Sequence, residues 1–186
     1  MKEALQVIKN RRSIRKFKSE QIPYPDLQEI LDCALYAPSA MNQQKWHFSV
    51  VQDQDTINRM VFLIKENILK SGNEGFTKRA NTPGYNTFYG APTVILISAE
   101  DKTPFAQFDC GAAAQNITLA ATAQNIGSCV IGSSGFLFAA DKSGALKREF
   151  GFPEGYVHVC SVALGYREGD APEAPPRKKE VVNYMR

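Results

Sequence analysis

Asn10-Arg11-Arg12-Ser13-Ile14-Arg15-Lys16-Phe17-Lys18-Ser19 holds five of the chain's 22 lysines and arginines. Three arginines and a serine within five positions are a dense donor set for an oxyanion, because guanidinium forks match phosphate and carboxylate and a hydroxyl adds a further donor. The same run also suits a solvated basic turn after a helix, where cations offset the helix's negative end. Which reading holds depends on whether the chain supplies the other parts of an anion site.

Upstream, residues 2–10 carry Ala4, Leu5 and Ile8 at helical spacing. Downstream, a second helix begins at Pro25, with Asp26 and Glu29 near its positive end and an apolar stripe of Leu27, Ile30, Leu31, Ala34 and Leu35. It stops where Pro38 biases Ala37 away from helical geometry. Pro38 to His47 is then a polar loop leading into the apolar strand Phe48–Val51. Its Ser39, Asn42, Gln43 and Gln44 offer amides and a hydroxyl but no acid or base, which fits a binding loop or a plain connector.

Further along, a helix is predicted over 55–70, with Ile57, Met60, Val61, Ile64 and Leu69 on its apolar side. Residues 71–91 look irregular, with glycines interleaved with Phe76, Tyr85, Phe88 and Tyr89, and so form either a pocket wall or a surface excursion. A buried strand at 92–99, an alanine-rich helix at 108–125, a short strand from Gly127 into a glycine turn, a helix at 141–150 and a strand at 156–164 complete the pattern. Strands separated by helices predict one sheet packed among helices, in an α+β or α/β arrangement.

Composition narrows the function. The 186 residues are 44% hydrophobic and 22% charged, which predicts one globular domain spanning 1–186. A net charge of +3 does not favour nucleic-acid binding. Apolar runs such as Val94–Ile97 fall far short of the ~20 residues that span a bilayer. Met1-Lys2-Glu3 leads directly into an amphipathic pattern, and Cys33, Cys110, Cys129 and Cys160 are dispersed, so the expectation is a cytoplasmic protein with reduced thiols. Two histidines provision neither a metal site nor a Ser-His-Asp triad, and His158 sits in an alternating strand. No GxGxxG and no GxxxxGK[ST] motif is present. A second basic patch, Arg177-Lys178-Lys179, gives two arms from opposite ends of the chain for one phosphate.

Taken together, Arg11-Arg12-Ser13-x-Arg15-x-Phe17 and Ala37-Pro38-Ser39-Ala40-x-Asn42-x-Gln44-x-Trp46 resemble the two N-terminal motifs of the nitroreductase family of flavoproteins. Gly90-Ala91-Pro92, Gly127-Ser128-Cys129 and Pro176-Arg177-Lys178 resemble its compact members, so the likeness spans nearly the whole chain. It implies an α+β fold with a central, mostly antiparallel sheet flanked by helices. It also implies an intertwined homodimer that holds FMN at the subunit interface.

By position, the resemblance assigns Arg11, Arg12 and Ser13 to the phosphate and ribityl end and Arg15 to the pyrimidine edge of the ring. It assigns Pro38, Ser39, Ala40 and Asn42 to the other subunit's site, and Ile131 and Gly132 to the reactive middle of the ring. Arg177, with Lys178 or Lys179, returns to the phosphate. Gly132 stands where larger members place an acidic residue.

The implied activity is ping-pong hydride transfer from NAD(P)H to FMN and on to a nitroaromatic, quinone or similar acceptor. The flavin does the chemistry and the protein supplies binding and electrostatics. In this reading Arg15 is the catalytic cation, stabilising negative charge that develops on the ring. Two other readings are specialised FMN chemistry (oxygen-using, dehalogenating or dehydrogenating) on an unknown small molecule, and a basic module that binds polyanions.

Overall fold

The computed structural model describes residues 2–185. The helices are α1 (Lys2–Asn10), α2 (Tyr24–Leu35), α3 (Gln54–Lys70), α4 (Glu74–Ala80), α5 (Ala106–Ala123) and α6 (Ala145–Glu149). The strands are β1 (Trp46–Val51), β2 (Thr93–Glu100), β3 (Gly127–Ile131) and β4 (Tyr156–Gly165). They form one sheet in the order β1-β2-β4-β3 with every neighbouring pair antiparallel. The architecture is α+β, as expected from the resemblance.

Period-two alternation in β2 builds two cores at once. Val94 and Leu96 join a cluster with Ile57, Met60, Ile64 and Ile68 of α3, while Ile95 and Ile97 join one with Ile30 of α2 and Ala113 and Ile117 of α5. A strand covered on both faces is apolar throughout, which is why 92–99 carries no polar alternation.

Three expectations change. Residues 71–91 are not wholly irregular: α4 starts at Asn73, whose side-chain oxygen accepts from the Phe76 amide at 3.1 Å. Ile68, not Leu69, takes the last buried place on α3, since it lies four residues beyond Ile64 while Leu69 has rotated outward. The helix expected over 141–150 is only Ala145–Glu149.

The basic run is extended and clamped at both ends. The Ile14 amide donates to the Ser128 carbonyl (2.9 Å) and the Lys18 amide to the Tyr166 carbonyl (2.8 Å), while the Glu168 amide donates to the Lys16 carbonyl (3.0 Å). Phe17 and Ile14 are buried, and Lys16 pairs with Glu168 at 3.0 Å on the surface. Beneath them, Gly127 and Gly165 face each other in the β3–β4 ladder. A Cβ on Gly127 would lie 3.1 Å from Ile14 Cγ1, and one on Gly165 would lie 3.2 Å from Phe17 Cδ1 and 2.6 Å from Pro92 Cδ. The missing side chains of these two glycines are the room the run occupies.

His158 packs against Phe138 with ring centroids 5.5 Å apart, and burial pushes its pKa down to about 4. A histidine held neutral in the folded state binds a proton more readily once unfolded. Its contribution is therefore complete above the unfolded value near 6.5 and is lost as pH falls from there towards 4. The slope reaches at most about 1.4 kcal/mol per pH unit. Urea unfolding between pH 7 and 4.5 should show this slope in the native protein and its loss in His158→Phe.

Candidate functional site

An extended chain sends successive side chains to opposite sides, and clamping 11–17 against β3 fixes which go where. Arg11, Ser13 and Arg15 fall on the side of Cys129 in β3. The Cys129 thiol is pushed up by burial, and Arg15, Arg79, Arg11 and the Ser13 hydroxyl act on it in the opposite direction. Arg12 and Ile14 line a different cleft, between α1 and the C-terminal end of α5. There an Arg12 Nη donates to the carbonyls of Lys9 (2.7 Å) and Arg11 (2.8 Å), while its Nε is buried without a partner. Within one chain Arg12 does not join Arg11, Ser13 and Arg15.

Arg79, which the sequence reading missed, comes from the last turn of α4. It hydrogen-bonds the Tyr89 hydroxyl and lies 5.6 Å from the centroid of that ring. Arg15, Arg79, Tyr85, Asn86 and Tyr89 line a cleft of about 480 Å³ whose lining includes no carboxylate. Tyr89 holds a left-handed φ of 58°, a conformation kept where surrounding structure imposes it. The available signal was Asn73, an N-cap that announces α4 and so a cation in its last turn.

Arg11 and Arg15 make no side-chain hydrogen bond or ion pair among the described residues, so guanidiniums converge here without a counter-charge. That donor set fits a bound oxyanion. Ile131 ends the same strand, three residues and so about 10 Å from Ser128, and Gly132 follows it. A Cβ on Gly132 would meet nothing within 4 Å, which leaves open space along that backbone. Burial keeps Cys110 (about 12) and Cys160 (about 11) protonated, and no group of metal-ligating side chains occurs among the described residues.

The Pro38–Asn42 loop is elsewhere in the chain. The Ala40 amide donates to Asp109 Oδ1 at the start of α5 (3.1 Å), and the Gln44 amide donates to Ser39 Oγ (3.0 Å). Met41, Asn42 and Gln44 all have φ near +50°, an unusual concentration of left-handed non-glycine residues. The loop shares no hydrogen bond with Arg11, Ser13 or Arg15, and none of its residues lines the cleft beside Arg15. Around it Tyr36 (87%), Met41 (80%) and Phe108 (77%) are exposed, an apolar face of the kind that marks an interaction surface. Arg177 donates to the Pro175 carbonyl (3.2 Å), and both it and Lys178 lie exposed in the tail after β4.

Known proteins share this fold. A nitroreductase with bound FMN from Bacteroides fragilis superposes with a TM-score of 0.91 at 34% identity, covering 99% of each chain. Another nitroreductase with bound FMN, from Desulfitobacterium hafniense, gives 0.88 at 33% identity over 100% of each. A protein of Archaeoglobus fulgidus, provisionally named an NADH dehydrogenase/NAD(P)H nitroreductase, is 35% identical over 89% of this chain and 86% of its own length. The sequence model of the nitroreductase family matches residues 8–166, from the helix before the basic run to the end of β4. The run clamped to β3, the antiparallel sheet and that match agree: the chain belongs to the nitroreductase family.

Proposed function

We propose that this chain is an FMN-dependent oxidoreductase that takes reducing equivalents from NAD(P)H and passes them to a small organic acceptor. The observation that carries the reading is the convergence of unpaired Arg11 and Arg15 with Ser13 and Arg79 beside β3, in a chain 34% identical to an FMN-bound nitroreductase. FMN, when bound, supplies the redox chemistry. Arg11 and Ser13 hold its phosphate end, and Arg15 sets a fixed positive charge against the ring's pyrimidine edge. The Ile131–Gly132 backbone flanks the ring. One domain spans residues 1–186 and works in the cytoplasm. No helix among the described residues is long and apolar enough to cross a membrane.

The functional unit is a homodimer, with Pro38, Ser39, Ala40 and Asn42 of one subunit completing the other's site. Its support is the separation of that loop from the basic cluster within one chain, together with the exposed apolar face around it. In the dimer the tail residues Arg177 and Lys178 close on the phosphate, while Arg12 keeps its place in the cleft behind α1.

The visible spectrum of the purified protein tests the reading. Stoichiometric FMN uptake and anaerobic bleaching by NADH or NADPH are expected, and a colourless protein that takes up no stoichiometric FMN overturns it. Acceptor profiling against nitroaromatics, quinones and oxygen then separates general reduction in a ping-pong cycle from specialised FMN chemistry, which slow turnover of all three would favour.

A further inference from the structure

Two residues three apart on a regular strand face opposite sides, yet His158 and Ser161 of β4 meet side chain to side chain. The register explains it: Ile97 pairs with Cys160 and Ser98 with His158, which leaves Val159 as an extra residue. This β-bulge turns His158 onto the face of Ser161, and bulges re-aim side chains in this way. The imidazole Nε2 lies 2.9 Å from Ser161 Oγ and 3.2 Å from Ser134 Oγ, and both serines are fully buried. Ser134 donates its own proton to the Ile131 carbonyl at 2.7 Å. Its oxygen is thus left to accept, and with the proton on Nε2 that one N–H is shared between the Ser134 and Ser161 oxygens.

The bonds close a loop around one point, because Ser161 is also the cross-strand partner of Ile131. That point is where β3 ends and the 3-10 turn Ser133–Phe138 begins. β3 is the strand that carries Ser128 and Cys129 beside the arginines.

We infer that His158, aimed by the bulge, is a positioning residue that fixes the Ile131–Gly132 turn through Ser134 and so holds that backbone flat against the cofactor. The link to the cofactor rests on the function proposed above. The hold on the turn does not. His158 touches no reacting atom, and its role is to keep Ser134 directed at the Ile131 carbonyl.

The test uses His158→Phe, which keeps a ring against Phe138 but removes the donor, His158→Gln, which restores an amide donor, and Ser134→Ala with the double variant. Amide hydrogen exchange over residues 131–135 is read in FMN-free protein, and the visible flavin band and kcat against KM in FMN-loaded protein. Exchange about fivefold faster is expected in His158→Phe and Ser134→Ala, the ratio corresponding to one lost buried hydrogen bond. The double variant should be no faster than either single one, and His158→Gln should be close to wild type. In loaded protein the same variants should shift the flavin band and lower kcat with the acceptor KM unchanged. Unchanged exchange, or additive effects in the double variant, overturns the inference in a protein that still binds FMN. Failure to bind FMN in wild type overturns the proposed function instead, and the exchange result then stands by itself.

Discussion

Arg15→Ala is expected to slow reduction of the bound flavin by NAD(P)H roughly 10²-fold, the cost of removing one preorganised group aimed at developing charge, while FMN affinity changes far less. Arg11→Ala should do the reverse, weakening FMN binding by roughly 10- to 100-fold through loss of charge-assisted hydrogen bonds and leaving the rate in saturated protein nearly intact. The geometry gives the division a reason. Both guanidiniums lie on the same side of the extended run and neither has a carboxylate partner, so each charge is available to a ligand. Arg11 follows directly from α1, its amide bonded to the Val7 carbonyl, whereas Arg15 stands with Arg79 and Tyr89 at the other end of the run. FMN titration by fluorescence and anaerobic stopped-flow reduction separate the two effects, and equal losses in both variants would remove the division of roles.

Gly165→Ala is expected to cost roughly 1–3 kcal/mol of stability through overpacking, and to loosen FMN binding as well. The new Cβ would sit 2.6 Å from Pro92 Cδ and 3.2 Å from Phe17 Cδ1, and the proline ring has little freedom to retreat. The end of β4 must shift away from Pro92 and so press on Phe17, which anchors the run carrying Arg11, Ser13 and Arg15. Thermal unfolding and FMN titration of the same variant check the pair of effects. A lowered Tm with unchanged FMN affinity would show that the run tolerates displacement of its anchor.

Most of the secondary structure is local and was legible on that account. The apolar run at 92–99 announces a strand covered on both faces, and the stripe Ile57, Met60 and Ile64 announces α3. The helix α4 was hidden because its seven residues show too little periodicity among the glycines of 71–91, although Asn73 marks its start. The candidate site was legible in part: the sequence places Arg11, Ser13 and Arg15 in one basic run, and the fold adds Arg79 from 64 residues further on.

By itself, then, the sequence determined one sheet packed among helices and a run rich enough in donors to hold an anion, since these follow from residue type and short-range spacing. The family and the α+β class came from the resemblance of its motifs. Only the tertiary structure decided the side on which each donor lies. Arg11 and Arg12 are neighbours with the same charge, yet docking of Ile14 on Ser128 sends one to Cys129 and the other to the cleft behind α1. One extra residue in β4 likewise turns His158 towards Ser134. In an extended chain a shift of one residue reverses every side chain, and that register is set by the partner strand, not by the segment's own sequence.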